Sequence, residues 1–323
     1  ILKIKQIRLK NIVIPNNIFM APLAGYTCYP FRILCQELGA GLTFTEMASA
    51  NGLRHHDHVA TNIIFTDERE KIKAVQLLGG EPDIMGMAAC SERLKDFDMI
   101  DINMGCPVPN VFKNGEGSAL LGDMKRAYHI IHQCKKSGKI ISVKFRIGIK
   151  ENEPITAEFA KMCEDAGADV ITIHGRSRSM MYNGTPYYEQ IHQAKSVVQI
   201  PVIANGGIFS KQDADFMMEQ TDADGVMIGR YGLENPFIFC ELLGNTQIQK
   251  TKLDILKEQI QLVRELCDKN IYTETFALSY MKKLCGYFMK KEKGTKQYKQ
   301  KMFQCGSMND IEHIIDMAFS EIL

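Results

Sequence analysis

No two of the ten cysteines form a C-x-x-C pair, and thiols scattered in this way beside 18 methionines suit a reducing compartment. Most of them read as small buried hydrophobes. Charge of one sign is also missing: 39 Lys and Arg against 38 Asp and Glu give a net +1. A protein-wide basic field is thereby excluded, and any nucleic-acid binding must come from a local patch. No apolar run approaches the ~18 residues that span a bilayer; the most apolar stretches, such as 197–204, are short. A soluble, cytoplasmic protein with no membrane partner is the expectation, and the first five residues carry no signal-like apolar core. No G-x-G-x-x-G follows a strand-like run, which argues against a dinucleotide-binding doubly wound sheet. What is present is ordinary globular composition, 45% hydrophobic and 24% charged over 323 residues. That length suits one large domain with a small one, or two of similar size.

Short apolar, β-branched runs recur at Ile18–Met20, Leu42–Met47, Ala74–Leu78, Met99–Ile102, Ile140–Phe145, Val170–Ile173, Pro201–Ala204 and Gly225–Ile228. Stretches of helical period lie between them, for example 156–163 and 213–218. Eight strand–helix units in ~230 residues match a (β/α)8 TIM barrel in the α/β class. From about Gly244 the strand pattern stops, and Ile255, Ile260, Val263, Leu266 and Cys267 share a helix face. The division expected is a barrel over residues 1–243 and a small C-terminal all-helical domain over 244–323. Within the latter, 282–301 holds eight lysines and the single acid Glu292, a local +7, with Tyr280, Tyr287 and Tyr298 interleaved. A solvated helix face is one explanation of such a run, and a footprint for a phosphate backbone is the other.

Working residues of such barrels sit at the C-terminal ends of the strands. The last two ends, Asn205-Gly206-Gly207 and Gly229-Arg230, bare backbone N–H groups where barrels commonly bind a phosphate, and Arg230 adds a charged fork. The plainer explanation is that these glycines only make tight turns. Gln76, Lys144 and His174 face the same mouth. A lysine at a buried strand end needs an anion beside it, which a reduced isoalloxazine ring supplies, and the Gln76 amide suits a flavin pyrimidine edge. An aldolase-type Schiff base at Lys144 is the alternative. Cys106, in Asn103-Met104-Gly105-Cys106-Pro107, is either a bland turn cysteine or a working thiol facing that cofactor. The His55-His56-x-His58 and His129-x-x-His132 clusters lack zinc-ligand spacing, and no metal is expected.

These segments, in order, carry a family resemblance: Met20-Ala21-Pro22-Leu23-Ala24-Gly25, Asp101 to Pro107, Gly117-Ser118-Ala119-Leu120-Leu121, Val143 to Arg146, Ile173 to Arg178, and Ala204 to Ile208. Each alone is weakly specific, but the ordered set resembles the tRNA-dihydrouridine synthases, flavoenzymes with an FMN barrel and a helical C-terminal domain. The resemblance implies that FMN is held by Pro22, Leu23, Ala24, Gln76, Lys144, His174, Asn205, Gly206, Gly207, Gly229 and Arg230. It also implies that Cys106 is the catalytic acid and that NADPH or NADH is the reductant. The chemistry agrees with those residue types. Hydride added at uracil C6 leaves enolate character that a thiol protonates at C5, and a cysteine with a pKa near ~8.5 stays largely protonated at neutral pH. Asn103 is expected to orient the uracil.

A base inside folded RNA reaches a barrel mouth only when unstacked and extruded, which requires a grip on the tRNA backbone. Arg176, Arg178, Lys290, Lys291, Lys293 and Lys296 are the expected grip. The chain departs from its relatives at Val108-Pro109-Asn110, where they often carry lysines, and at Met281-Lys282-Lys283-Leu284, where they often show Arg and His. Two rivals stand beside this reading, of which the first shares the flavin cradle. A free-pyrimidine oxidoreductase resembling dihydroorotate dehydrogenase has no use for the lysine-rich helices, and a barrel reduced to RNA binding would lack the set of Cys106, Gln76, Lys144 and His174, all present here.

Overall fold

The computed structural model describes residues 1–320 except 56, 57, 246, 247, 291 and 293. All eight runs form strands: β3 (Ile18–Met20), β4 (Phe44–Ser49), β5 (Ala74–Leu78), β6 (Met99–Met104), β7 (Ile140–Arg146), β8 (Val170–His174), β9 (Val202–Asn205) and β10 (Gly225–Ile228). Each pairs in parallel with its neighbours in the order β3-β10-β9-β8-β7-β6-β5-β4. The ring closes where Phe19 bridges Leu42 and Met20 N–H donates to the Leu42 carbonyl at 2.9 Å. Parallel strands buried on both faces favour such continuous Val and Ile runs. A hairpin not anticipated from the sequence precedes them, β1 (Ile7–Leu9) and β2 (Ile12–Ile14).

Period 2 explains the barrel interior. The lowest inward positions, Phe19, Phe44, Ala74, Met99, Ile140, Val170, Ile203 and Met227, form one apolar cluster with Ile7, Leu9 and Ile14 of the hairpin. The hairpin therefore closes the base, and Lys10 at its turn donates to the carbonyls of Gly138 and Lys139 at 3.0 and 2.7 Å. Two residues further along, the inward positions turn polar: Gln76, Asp101, Ser142 and Thr172. One step higher stand Asn103, Lys144, His174 and Asn205, at the open end. The gradient from apolar floor to polar mouth is written along β5 to β9.

Beyond Gly244, whose φ of +73° ends a helix in the left-handed region, the described chain holds helices Lys252–Asp268, Glu274–Phe288, Lys296–Gln304 and Met308–Ser320. The first starts on a capping box formed by Thr251 and Asp254. It lies against the barrel helix Tyr29–Glu37, where Gln259 donates to the Pro30 carbonyl at 3.0 Å and accepts from Tyr280 at 2.6 Å. No helix among the described residues is long and apolar enough to cross a membrane.

Candidate active site at the barrel mouth

A cavity of about 300 Å³ opens at the C-terminal ends of the strands. Its wall includes every residue expected to hold the cofactor, together with Asn103, Cys106 and Arg176. Among the described residues four cations, Lys144, Arg146, Arg176 and Arg230, line it, and no carboxylate does. Their partners are largely neutral. Lys144 donates to Asn205 Oδ1 at 3.2 Å, and Asn205 is fixed in turn by donating to the Met227 carbonyl at 2.8 Å. Arg146 donates to the carbonyls of Gly105, Ser177 and Met181 at 2.9, 3.1 and 2.6 Å, tying the loop after β6 to the loop after β8. Arg176 donates to the carbonyls of Asn183 and Gly184.

Electrostatics follow from that crowding. Burial, then Arg146, push Lys144 down from the ordinary lysine range, and burial brings Arg146 down to about 10. His174 is driven well below the usual histidine value by burial and by Arg146, Lys144, Arg176 and Arg230 around it. Its Nε2 lies 3.4 Å from Arg176 Nη1, and since a guanidinium only donates, that nitrogen is an acceptor on a neutral ring. Asp101 beneath offsets part of the Lys144 charge, and the remaining buried like charges are costly without a counter-ion, so an anion suits this cavity. The glycines agree. A Cβ at Gly206 would sit 2.8 Å from His174 Cδ2, whereas Gly229 faces open space. These features fit a flat ligand with a phosphate arm laid against the ends of β9 and β10.

Cys106 lies on the wall with 9% exposure. Burial raises its thiol pKa above the ordinary value, with a Val108 N–H, Arg146 and Lys144 working against that rise. The loop is held from several sides. Asn103 Oδ1 accepts the N–H groups of Gly105 and Cys106 at 3.1 and 2.9 Å, and Ser118 Oγ donates to the Cys106 carbonyl at 2.8 Å. Gly117, at φ +58°, leaves no room for a side chain, because its Cβ would fall 2.9 Å from that of Cys106. Asn103, expected to orient uracil, is thus largely engaged in holding the loop.

The residues expected to grip RNA scatter. Arg176 is buried beside Gly206, not on the outer surface. Arg178 is half-buried and lies 3.8 Å from the centroid of the Phe112 ring. Lys290 is exposed and pairs with Glu234, Lys296 is exposed at the start of its helix, and Lys291 and Lys293 lie outside the described residues. Of the interleaved tyrosines, Tyr280 and Tyr298 belong to the core, and only Tyr287 reaches the cavity. His129 and His132 both pack on Tyr128, and His56 lies outside the described residues. Sequence reasoning assigned no role to Arg146, although its spacing from Lys144 already placed both on one strand face. Tyr26, Tyr182 and Tyr287 also line the cavity; they arrive from distant loops and a helix, and no local pattern announces them. The Tyr182 ring lies under the Arg230 and Arg146 guanidinium groups, at 4.1 and 5.3 Å.

Fold and site together define a (β/α)8 barrel with a cationic mouth and a buried thiol on its wall. Residues 19–322 match the family described as Dihydrouridine synthase (Dus), and the chain belongs to that family. It is 39% identical to tRNA-dihydrouridine synthase B of Pasteurella multocida (strain Pm70), over 72% of this chain and 70% of the relative. It is 32% identical to the probable tRNA-dihydrouridine synthase 1 of Synechocystis sp., over 98% and 90%. Among solved structures, morphinone reductase in complex with tetrahydroNAD superposes with a TM-score of 0.54 at 14% identity, covering 78% of this chain and 93% of that one, a likeness of fold.

Proposed function

We propose that the mouth holds FMN and that the protein uses it, with NADPH or NADH as reductant, to reduce the C5=C6 bond of uridines in tRNA to 5,6-dihydrouridine. The observation that carries this reading is a family match spanning nearly the whole chain on a cavity that sets four cations and a buried thiol around one space. Gln76, Lys144, His174, Asn205 and Arg230 hold the cofactor, with Pro22, Leu23 and Ala24 along one edge and Gly206, Gly207 and Gly229 offering backbone N–H groups to its phosphate. Arg176 belongs with that phosphate site by position. Bound there, reduced flavin supplies a hydride to uracil C6. Cys106 holds a proton on Sγ and delivers it to C5, a role suited to a thiol whose burial keeps it protonated at neutral pH. Neutral His174 donates a hydrogen bond without adding charge, and Lys144 offsets negative charge on the reduced ring.

Residues 1–243 form the catalytic barrel in this reading, and 244–323 the RNA-holding part, whose exposed lysines, Lys290 and Lys296 among them, meet the backbone of the extruded strand. A cytoplasmic site of action follows from the substrate. The test is anaerobic mixing of NADPH-reduced protein with unmodified tRNA, with uridine and with orotate, following flavin absorbance and assaying dihydrouridine. Rapid reoxidation by tRNA alone, with dihydrouridine formed, is the expected result. Reoxidation by a free pyrimidine instead would replace this reading with a metabolic oxidoreductase.

A further inference from the structure

Asp101 on β6 is 1% exposed, lies below the cavity and does not line it. Its carboxylate is the buried end of a chain of amides. Gln76 Nε2 donates to Asp101 Oδ2 at 2.6 Å. An amide donates only through nitrogen and accepts only through oxygen, so this bond turns Gln76 Oε1 the other way, where it accepts from Asn103 Nδ2 at 2.9 Å. With its nitrogen so engaged, Asn103 presents Oδ1 to the loop and takes the N–H groups of Gly105 and Cys106. A carboxylate can only accept, and that sets the polarity of the whole chain. A reversed Gln76 amide would face the carboxylate with its oxygen and Asn103 with its nitrogen, two repulsive contacts in place of two bonds.

A second observation argues that Asp101 is not there to satisfy its neighbours. Among the described residues its Oδ1 makes no well-formed hydrogen bond, and neither do Ser142 Oγ and Thr172 Oγ1 on the next two strands, although Ser142 lies close enough to favour the charged carboxylate. A buried carboxylate is costly, and the short bond this one makes is to the Gln76 amide. Burial pushes its carboxyl upward, against the Gln76 bond, Ser142 and nearby Lys144. We infer that Asp101 is a positioning residue for the Cys106 loop: it fixes the Gln76 amide, through it the Asn103 amide, and through that the two backbone N–H groups that seat Cys106 on the cavity wall. The inference rests on the proposed function only for its catalytic consequence, since the seating itself is measurable without turnover.

The experiment is site-resolved alkylation of the flavin-loaded protein by iodoacetamide, read by peptide mass spectrometry, with the core thiols Cys134 and Cys163 as internal monitors of unfolding. Asp101→Ala is expected to speed Cys106 alkylation by about 10-fold with both monitors silent, whereas Asp101→Asn, whose Oδ1 still accepts from Gln76, stays within about 2-fold of the parent. Gln76→Glu sets two carboxylates against each other and is expected to act like Asp101→Ala. Combining it with Asp101→Asn restores a donor, since the Asn nitrogen now serves the Glu oxygen, and returns the rate to within about 2-fold of the parent. A parental Cys106 rate in Asp101→Ala with silent monitors overturns the inference, as does a double variant no slower than Gln76→Glu alone. Should Asp101→Ala expose the monitors, the Gln76→Glu pair decides by itself. Failure of the parent to reduce tRNA would reject the proposed function and leave this alkylation result standing, so the two failures are told apart.

Discussion

Two sets of positive charge occupy one molecule in opposite ways. At the mouth, Lys144, Arg146 and Arg176 are largely buried and tied mainly to neutral amide and carbonyl oxygens, so their charge is left for a ligand. On the helical side, most of the described lysines are exposed, and where they meet partners these include acids, exposed Lys290 with Glu234 and half-buried Lys252 with Glu292. The first arrangement recognises one anion in a fixed pose, because rigid, desolvated cations discriminate strongly by geometry. The second suits a polymer of phosphates, where any one contact is worth little and the sum is set by salt.

The sharpest way to separate the two is to remove the chemistry between them. Cys106→Ala should lower single-turnover reduction of tRNA uridine by about 10³-fold, while flavin content by absorbance and tRNA affinity stay unchanged; parental turnover would end the acid role. Next, Arg230→Leu should weaken FMN binding by about 10- to 100-fold, measured by titrating the flavin-free protein, with tRNA affinity little altered. An equal loss in both would mean that the mouth and the helices form one surface. Replacing Lys290 and Lys296 together by Gln should raise the tRNA Kd by only about 3- to 10-fold and flatten the plot of log K against log salt by about 1 per lysine. The flavin spectrum should not move.

The smallest effect is one of pH on the flavin-free protein. The folded pKa of His174 lies well below its ordinary value. The unfolded chain therefore binds the extra proton as pH falls through about 6.5, and stability drops over that range down to the folded pKa, while above it the group contributes no slope. His174→Gln should flatten this limb of a pH series of thermal melts. An unchanged limb would show that the buried ring does not cause it.

Much of this contrast is visible in the sequence, for reasons that differ by region. Strands buried on both faces must be written as apolar runs, so Ala74–Leu78 or Val170–His174 stand out without context, and polar residues near the ends of several runs, such as Asn103, His174 and Asn205, mark the mouth. Hairpin strands of three residues offer little to recognise, although Ile7 and Leu9 against Ile12 and Ile14 do alternate. Tyr280 misleads when counted with the lysines around it, because its spacing from Ala277, Leu284 and Phe288 is that of a buried helix face. Asp101 was quoted within a motif but given no work, since its role depends on which amide atom faces which, a property of three strands side by side.

The plug of Ile7, Leu9 and Ile14 under the barrel bears on traffic. With the floor of the described barrel sealed by apolar side chains, the open mouth is the approach to the site, and in the proposed reaction the nicotinamide and the extruded uridine both come to the flavin from there. In that reading the two would take turns, the spent reductant leaving before the RNA base enters, and excess nicotinamide is expected to compete with tRNA for a place at the same ring.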